Sequence, residues 1–342
     1  MKKMNGEKLP KVSIIILNYN EPELTVRCLE RVLKIEYPYF EIILVDNGSR
    51  ENISDFIKDK SVKIINNATN LGYAEGNNVG YRKANGDLIL FLNNDVIVKK
   101  DFLKPLVAVL MSNEKIGAVQ PKILMLPKKD TIDSVGSYFL TSGFLYHFGH
   151  NKKDQEKYQN QAEIFTMKGA CMLFKKSVLE KTGVFDKDYF AYYEETDLCQ
   201  RTWIAGYKIL YIPTSTIYHK GGQTSNKLPS DFVQFHSYKN RIFTHCKNLE
   251  IKTLIKVLPS HLALCTFASI MYCVTGKFSL AYCIQRSIFW NLFNLKTILK
   301  RRHEIKNLRK VEDNDYLPNV TKKVRASYYY HLFTTALSGY QD

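Results

Sequence analysis

Short apolar runs alternate with helical patterns through the first part of the chain. Val12 to Leu17, Ile42 to Val45, Val62 to Ile65 and Leu88 to Leu92 are rich in branched side chains and too short for helices, so each predicts a buried strand. Between the first two, Leu24, Cys28, Leu29 and Val32 recur at helical spacing over Glu23 to Leu33, with Asn20 placed to cap and Pro22 near the first turn. Strands separated by such crossovers predict an α/β fold with a parallel sheet flanked by helices. Residues Leu124 to Gln161 lack a period and read as a loop-rich cover. A second ordered segment runs from Phe165 to His219, with strand-like Cys171 to Phe174 and Lys208 to Ile212, a helix over Ser177 to Thr182 and another starting near Glu195. After Gly222 the chain turns basic, aromatic and helical. A boundary near Pro229 therefore separates residues 1–228 from a helical region, 229–342.

In parallel sheets ligands bind beyond the carboxyl ends of the strands. Here those ends are polar: Asn18-Tyr19-Asn20, Asp46-Asn47-Gly48-Ser49 and Asn93-Asn94-Asp95. A carboxylate at Asp46 can accept a hydrogen bond from the imide N–H of uracil or thymine, although Asp-Asn-Gly is also a turn sequence. Asp95 suits a divalent cation that is held mainly by substrate phosphates, with few protein ligands. In Asn70-Leu71-Gly72-Tyr73-Ala74-Glu75-Gly76-Asn77-Asn78-Val79-Gly80, glycines four apart allow close approach of a ligand or of neighbouring backbone. No glycine-rich turn follows the first strand and no GxxxxGK occurs, which excludes a dinucleotide-binding fingerprint and a P-loop.

Tyr189-Phe190-Ala191-Tyr192-Tyr193-Glu194-Glu195-Thr196-Asp197 sets three carboxylates within four residues beside an aromatic cluster. Burial among aromatics raises a carboxylate toward the range of a general base. Acidic residues also favour helix starts, and Asp197 reads as the structural member. His219 alone reads more often as structural than as a ligand.

Composition narrows the partners. Of the 342 residues, 49 are Lys or Arg and 33 Asp or Glu, a formal net charge of +16. Lys239 to Asp342 holds 17 basic and 6 acidic residues, so most of the excess lies there and points to an anionic partner. Seven cysteines without a CxxC pair suggest neither a disulfide framework nor a zinc site, and the first apolar run is too short for a signal-peptide core. A cytoplasmic protein is expected.

The order of these motifs resembles the family 2 glycosyltransferases of the GT-A fold, particularly the bacterial rhamnosyltransferase-like branch, and the resemblance implies a GT-A-like mixed, mainly parallel sheet flanked by helices. The resemblance covers roughly Lys11 to Gly222. It is carried by Ser13-Ile14-Ile15-Ile16-Leu17-Asn18-Tyr19-Asn20, Val45-Asp46-Asn47-Gly48-Ser49, Asn70-Leu71-Gly72, Gly76-Asn77-Asn78, Leu92-Asn93-Asn94-Asp95 and Glu194-Glu195-Thr196-Asp197-Leu198. It implies an inverting transferase that moves a sugar from a UDP- or dTDP-type nucleotide-sugar to a hydroxyl of a growing cell-surface glycan or lipid-linked acceptor. Asn18, Asn20, Asp46, Gly72, Gly76, Asn77 and Asn94 would form the nucleotide-sugar site. Asp95 would hold Mn2+ or Mg2+ as the last residue of a DXD-type motif whose first carboxylate is here Asn93, with His219 as an additional ligand. Glu195 takes the place of the catalytic base, and Glu194 stands beside it as a substitute. A nucleotidyltransferase of related fold, which would need a glycine-rich triphosphate loop, and a noncatalytic membrane-binding protein are the rival readings. No groove-reading helix or RNA-binding signature supports a nucleic-acid partner.

Beyond the resemblance, Ile288, Leu292, Leu295 and Leu299 share a helical face next to Lys296, Lys300, Arg301, Arg302, Lys306, Arg309 and Lys310. Such a helix suits an anionic membrane surface, on the inner face of the cell membrane. Val257 to Gly276 is apolar but carries Pro259, His261 and several hydroxyls, and reads as buried or interfacial.

Overall fold

The computed structural model describes residues 3–4, 7–221 and 229–334. Its core is a ten-stranded mixed sheet. The first strands are β1 (Val12–Asn18), β2 (Phe40–Asp46), β3 (Val62–Asn66) and β4 (Leu88–Asn93), followed by β5 (Val96–Val98) and β6 (Ile116–Met125). Next come β7 (Ile132–Ser134), the hairpin β8 (Ser137–Phe139) and β9 (Leu145–His147), β10 (Ala162–Glu163), β11 (Cys171–Lys175) and β12 (Lys208–His219). The main path runs β10-β12-β6-β11-β4-β1-β2-β3, with β5 paired to β12 and β7 to β6. Strands β4, β1, β2 and β3 are parallel, whereas β11 enters antiparallel between β4 and β6.

Alternation along the strands sorts the core into two faces. Ile14, Ile16, Leu88, Leu90 and Leu92 pack with Cys28, Leu29 and Val32 of α1 (Pro22–Val32) and with Leu103, Leu106 and Leu110 of α3 (Leu103–Ser112). Ile15, Ile89 and Phe91 face the other way, onto Ala74 of α2 (Gly72–Tyr81), α5 (Glu194–Ile204) and the C-terminal helices. The latter are α6 (Ser230–Asn248), α7 (Ile251–Val274), α8 (Phe278–Phe293), α9 (Leu295–Leu308), α10 (Asp313–Val320) and α11 (Ala326–Thr334), while α4 (Lys176–Thr182) links β11 toward α5. Phe243, Cys265, Ile284 and Tyr316 thus belong to the same apolar cluster as the sheet. The expected boundary at 228/229 abuts residues 222–228, Gly222 among them, which lie outside the described residues.

Four expectations are corrected. Asn20 does not cap α1; it sits at φ +54° and its side chain accepts from Arg50 N at 2.9 Å. The cover from Leu124 to Gln161 is mostly loop but not without order: the end of β6, β7 and the β8–β9 hairpin lie within it. The strand at Lys208 does not stop at Ile212 but passes a register irregularity before Thr216 and continues to His219. The tail face drawn from Ile288 to Leu299 is broken at Asn294, which ends α8 and starts α9, its amide donating to Trp290 O at 2.7 Å.

Candidate active site

Parallel pairing of β1 and β2 sets Asn18 opposite Asp46 at the carboxyl edge. Asn18 Nδ2 donates to Asp46 Oδ1 at 3.0 Å and to Ser49 Oγ at 3.1 Å, and Ser49 Oγ donates to the same Asp46 oxygen. Thr25 Oγ1 donates to Asn18 Oδ1 at 2.8 Å and accepts from Asn94 Nδ2 at 3.0 Å. The backbone N–H of Asn20 closes the chain onto Ser49 Oγ at 2.9 Å. Asn18, Asn20, Asp46 and Asn94 are therefore one hydrogen-bonded edge, and Asp46 is held in a single orientation.

Asn47 extends that edge inward. Its Oδ1 accepts from Asn67 Nδ2 and Leu71 N at 3.0 and 3.1 Å, and its Nδ2 donates to Asn70 Oδ1 and Gly72 O at 2.9 and 3.1 Å. Gly72 has φ +78° and leaves no room for a Cβ against the carbonyl and ring of Phe190. Gly76 lets α2 close onto Leu17, whose Cδ1 would stand 2.7 Å from a Cβ there. Asn77 is buried and donates to Tyr73 O in its own helix at 2.9 Å. These three residues pack α2 beneath the edge.

The second corner gathers residues from distant strands. β5 pairs with the end of β12, Val96 opposite His219, and so brings Asp95 to the histidine. His219 Nε2 lies 3.1 Å from Asp95 Oδ1, and Nδ1 lies 2.7 Å from Asp133 Oδ2 on β7. Asp133 in turn binds Lys168 Nζ at 2.5 Å through Oδ1, and its backbone carbonyl accepts from His150 Nδ1 at 2.8 Å. Burial opposes charge on Asp133, but Lys168 and then His219 outweigh it and hold its carboxyl well below the usual range. On His219 burial is outweighed by Asp133 and Asp95, which raise its pKa.

Asp95 Oδ1 is buried and has no partner besides that 3.1 Å contact with the imidazole. A cation fits there: one orphan carboxylate oxygen faces one imidazole whose other nitrogen is fixed by a carboxylate. No group of three metal-ligating side chains occurs among the described residues. Two protein ligands suit Mg2+ or Mn2+, which keep other positions for water and phosphate.

The third element is the turn before α5. Phe190, Tyr192 and Tyr193 take φ of 61°, 70° and 72°, left-handed conformations that cost a non-glycine residue of order 1 kcal/mol or more each. Asn240 Nδ2 on α6 stabilises the turn by donating to the carbonyls of Tyr189, Ala191 and Tyr192 at 3.1, 2.9 and 2.6 Å. The carboxylates that follow diverge. Glu194 is 5% exposed, its Oε2 has no hydrogen bond, and burial followed by the charge of Glu195 pushes its pKa well up. Glu195 is also raised by burial, partly offset by hydrogen bonds that include Thr196 Oγ1 donating to its Oε1 at 3.1 Å. Asp197 is fully buried between Arg201 Nε at 2.9 Å, Lys247 Nζ at 2.8 Å and Asn248 Nδ2 at 2.9 Å. Burial would raise it, but Lys247 and Arg201 hold it down to about 2.

Glu195 lines a cavity of about 350 Å³ together with Asp133, His147, His150, Thr166 and Lys168. One space therefore joins the carboxylate to the His219 corner. Glu194 is not among its lining residues. Sequence reasoning passed over Asp133, Lys168 and Asn240 as site residues. Their local signal was slight: Asp133 follows Ile132 in a segment without a period, Lys168 follows Met167, and Asn240 sits between Lys239 and Arg241 in the basic region.

Comparison with known proteins gives this geometry a context. A family model described as glycosyl transferase family 2 matches residues 13–183. The low-salt glycan biosynthesis hexosyltransferase Agl10 of Haloferax volcanii is 25% identical over 246 residues, covering 70% of this chain and 76% of that protein. The poly-beta-1,6-N-acetyl-D-glucosamine synthase of Staphylococcus epidermidis is 28% identical over 215 residues, 62% of this chain; the chain spans about half the length of that relative, 50%. Among solved structures, GalNAc-T7 with UDP, GalNAc and Mn2+ superposes with a TM-score of 0.57 at 21% identity, over 72% of this chain and 49% of that one. The mannosyltransferase PcManGT from Pyrobaculum calidifontis, with GDP-Man and Mn2+, gives 0.52 at 15% identity over 88% and 86%. At these identities the structural likeness speaks to the fold, which is GT-A.

Proposed function

The chain belongs to glycosyltransferase family 2, and from that premise we propose that it is an inverting transferase acting on a nucleoside-diphosphate sugar and a hydroxyl of a cell-surface glycan or lipid-linked acceptor. Family membership decides against the noncatalytic binder and the nucleotidyltransferase weighed from the sequence. The observation that carries the reading is the shared cavity, which puts the raised carboxylate of Glu195 and the Asp133 partner of His219 on one wall. An acceptor hydroxyl in that cavity gives its proton to Glu195 as it attacks the anomeric carbon, and a single displacement inverts that centre. Glu194, buried and away from the cavity, supports the base electrostatically rather than touching the acceptor.

Asp46 receives the nucleobase, oriented by Asn18 and Ser49, while Asn20 and Asn94 hold the edge around the ribose and diphosphate. Gly72, Gly76 and Asn77 shape the floor. Asp95 and His219 would hold Mn2+ or Mg2+, which supplies positive charge to the departing diphosphate. The enzyme works on the cytoplasmic face of the cell membrane. On the resemblance to the rhamnosyltransferase-like branch, dTDP-rhamnose is the first donor to try, beside the UDP and GDP sugars bound by the structural neighbours.

Calorimetric titration with UDP, dTDP and GDP, each with and without Mn2+, tests the donor half. Metal-dependent binding of one of them is expected. Loss of transfer in Glu195→Gln with that binding intact tests the base; full activity in this variant would falsify it.

A further inference from the structure

Helices α7, α8 and α9 carry a face that nothing among the described residues covers. On α7 the buried residues Val257, His261, Cys265, Ala268 and Ser269 form one stripe, and Ile255, Phe267, Ile270 and Val274 form the opposite one, with Val274 76% exposed. On α8 the buried stripe is Ala281, Ile284, Ser287 and Asn291, and the outward one is Phe278, Tyr282, Phe289, Leu292 and Phe293, the last 85% exposed. An apolar surface of this extent marks a contact site.

The charges around it identify the occupant. Between Ile251 and His303 there is no Asp or Glu, against eight Lys and Arg. The same pattern recurs at two helix starts: Ile251-Lys252 with Ile255-Lys256 on α7, and Leu295-Lys296 with Leu299-Lys300 on α9, all eight side chains exposed. Each lysine stands beside an outward apolar residue, the arrangement in which the stem lies along acyl chains and the ammonium reaches headgroup phosphates. A second copy of so basic a face would repel it, whereas an anionic bilayer complements it.

α7 has the length and composition of a membrane span, yet its inner stripe is committed to the core. His261 Nδ1 lies 3.0 Å from Ser142 O, its ring stacks at 4.6 Å on Phe144, and Ser269 Oγ donates to Ala281 O at 3.1 Å. Crossing a bilayer would strip these contacts. Resting on the membrane-peripheral reading above, we propose that α7, α8 and the start of α9 lie in the plane of an anionic phospholipid surface, outward stripes down, without spanning it. Gly143, between β8 and β9, packs on His245, Val257 and His261, while Ser137, Leu145 and His147 of the same hairpin line the cavity beside Glu195. The proposed platform therefore adjoins the acceptor cavity, and the acceptor class it favours is one carried on a lipid in that same surface.

Vesicle flotation of the full chain tests this without donor or acceptor. Binding to phosphatidylglycerol-containing vesicles and little to neutral ones is expected, weakening with salt and reversed by alkaline carbonate. The combined variant Phe278→Ser, Phe289→Ser, Phe293→Ser should lower the bound fraction about tenfold or more, and Lys252→Glu, Lys256→Glu, Lys296→Glu, Lys300→Glu should remove the preference for anionic lipid. Both variants should titrate with nucleoside diphosphate as the parent does, which separates this test from that of the transferase reading and reports folding. Retention through carbonate would overturn the in-plane arrangement. Failure to float, or a stable dimer abolished by the Phe variants, would overturn the lipid assignment.

Discussion

The two halves of the site are built on opposite principles. At the donor edge, Asn18, Asp46, Ser49, Thr25 and Asn94 bond to one another, so the edge is rigid before any ligand arrives. On the side of the proposed metal and base, Glu194 Oε2 is buried without a hydrogen bond, Asp95 Oδ1 has only its 3.1 Å contact with His219, and Glu195 and Glu194 are both pushed toward their neutral forms. Groups left unsatisfied in this way are costly to the fold. The comparison teaches that the edge preserves shape, while the proposed chemistry sits where stability has been given up.

The sharpest way to break that contrast is Glu195→Gln, for which transfer should fall about 10²–10⁴-fold with nucleotide binding retained. Glu194→Gln should fall less, and a larger loss there than at Glu195 would exchange their roles. Because burial raises Glu195, the acidic limb of the pH–rate profile should lie above the ordinary carboxylate range and vanish in the Gln variant.

Asp197 is the control within the same helix turn, a carboxylate fully paired rather than orphaned. Asp197→Asn removes the buried charge opposite Arg201 and Lys247, of which Lys247 keeps Asp186 at 2.9 Å and Arg201 only backbone carbonyls, and should cost about 3–5 kcal/mol in denaturant unfolding. Its folded pKa, about 2, lies below the ordinary value, so its stabilisation is present above about pH 4 and is lost as pH falls toward 2. The Asn variant should lack that slope.

Smaller effects refine the picture. Asp133→Asn should weaken Mn2+ binding about 10–100-fold by loosening His219, read by calorimetry of the metal alone. Asn240→Ala should lower kcat more than KM and cost about 1–3 kcal/mol of stability, because it frees the turn that aims α5. Asn20→Ala, one bond among many, should change nucleotide affinity by less than about threefold; a larger loss would show that the donor edge is less redundant than its network suggests.

The edge proposed for the donor was legible because local patterns wrote it: each strand is a buried apolar run that ends in polar residues. The other half was legible only in part: the sequence singled out Glu194, Glu195 and His219 but not Asp133, Lys168 or Asn240 around them. Strand β6 carries Gln120, Pro121 and Lys122 inside its run, and the burial of Lys122 is compensated by Asp154 at 2.8 Å and Gln159 at 2.6 Å from afar. β12 is interrupted by Pro213-Thr214-Ser215 before it reaches His219. Asp133 meets His219 only because β7 and β12 flank the end of β6, a pairing between residues 86 apart that no local period records. The break at Asn294 was missed because apolar spacing runs through it.

The three hydrogen bonds from Asn240 have a bearing on how such enzymes can be recombined. The turn they hold and the helix α5 both follow residue 183, where the family match ends, and Asn240 lies on a helix that follows the last core strand. A chimera that grafts this core onto another protein's C-terminal helices would keep the Asn18–Asp46 edge and lose the aim of its carboxylates. The natural unit of exchange is the core together with α6.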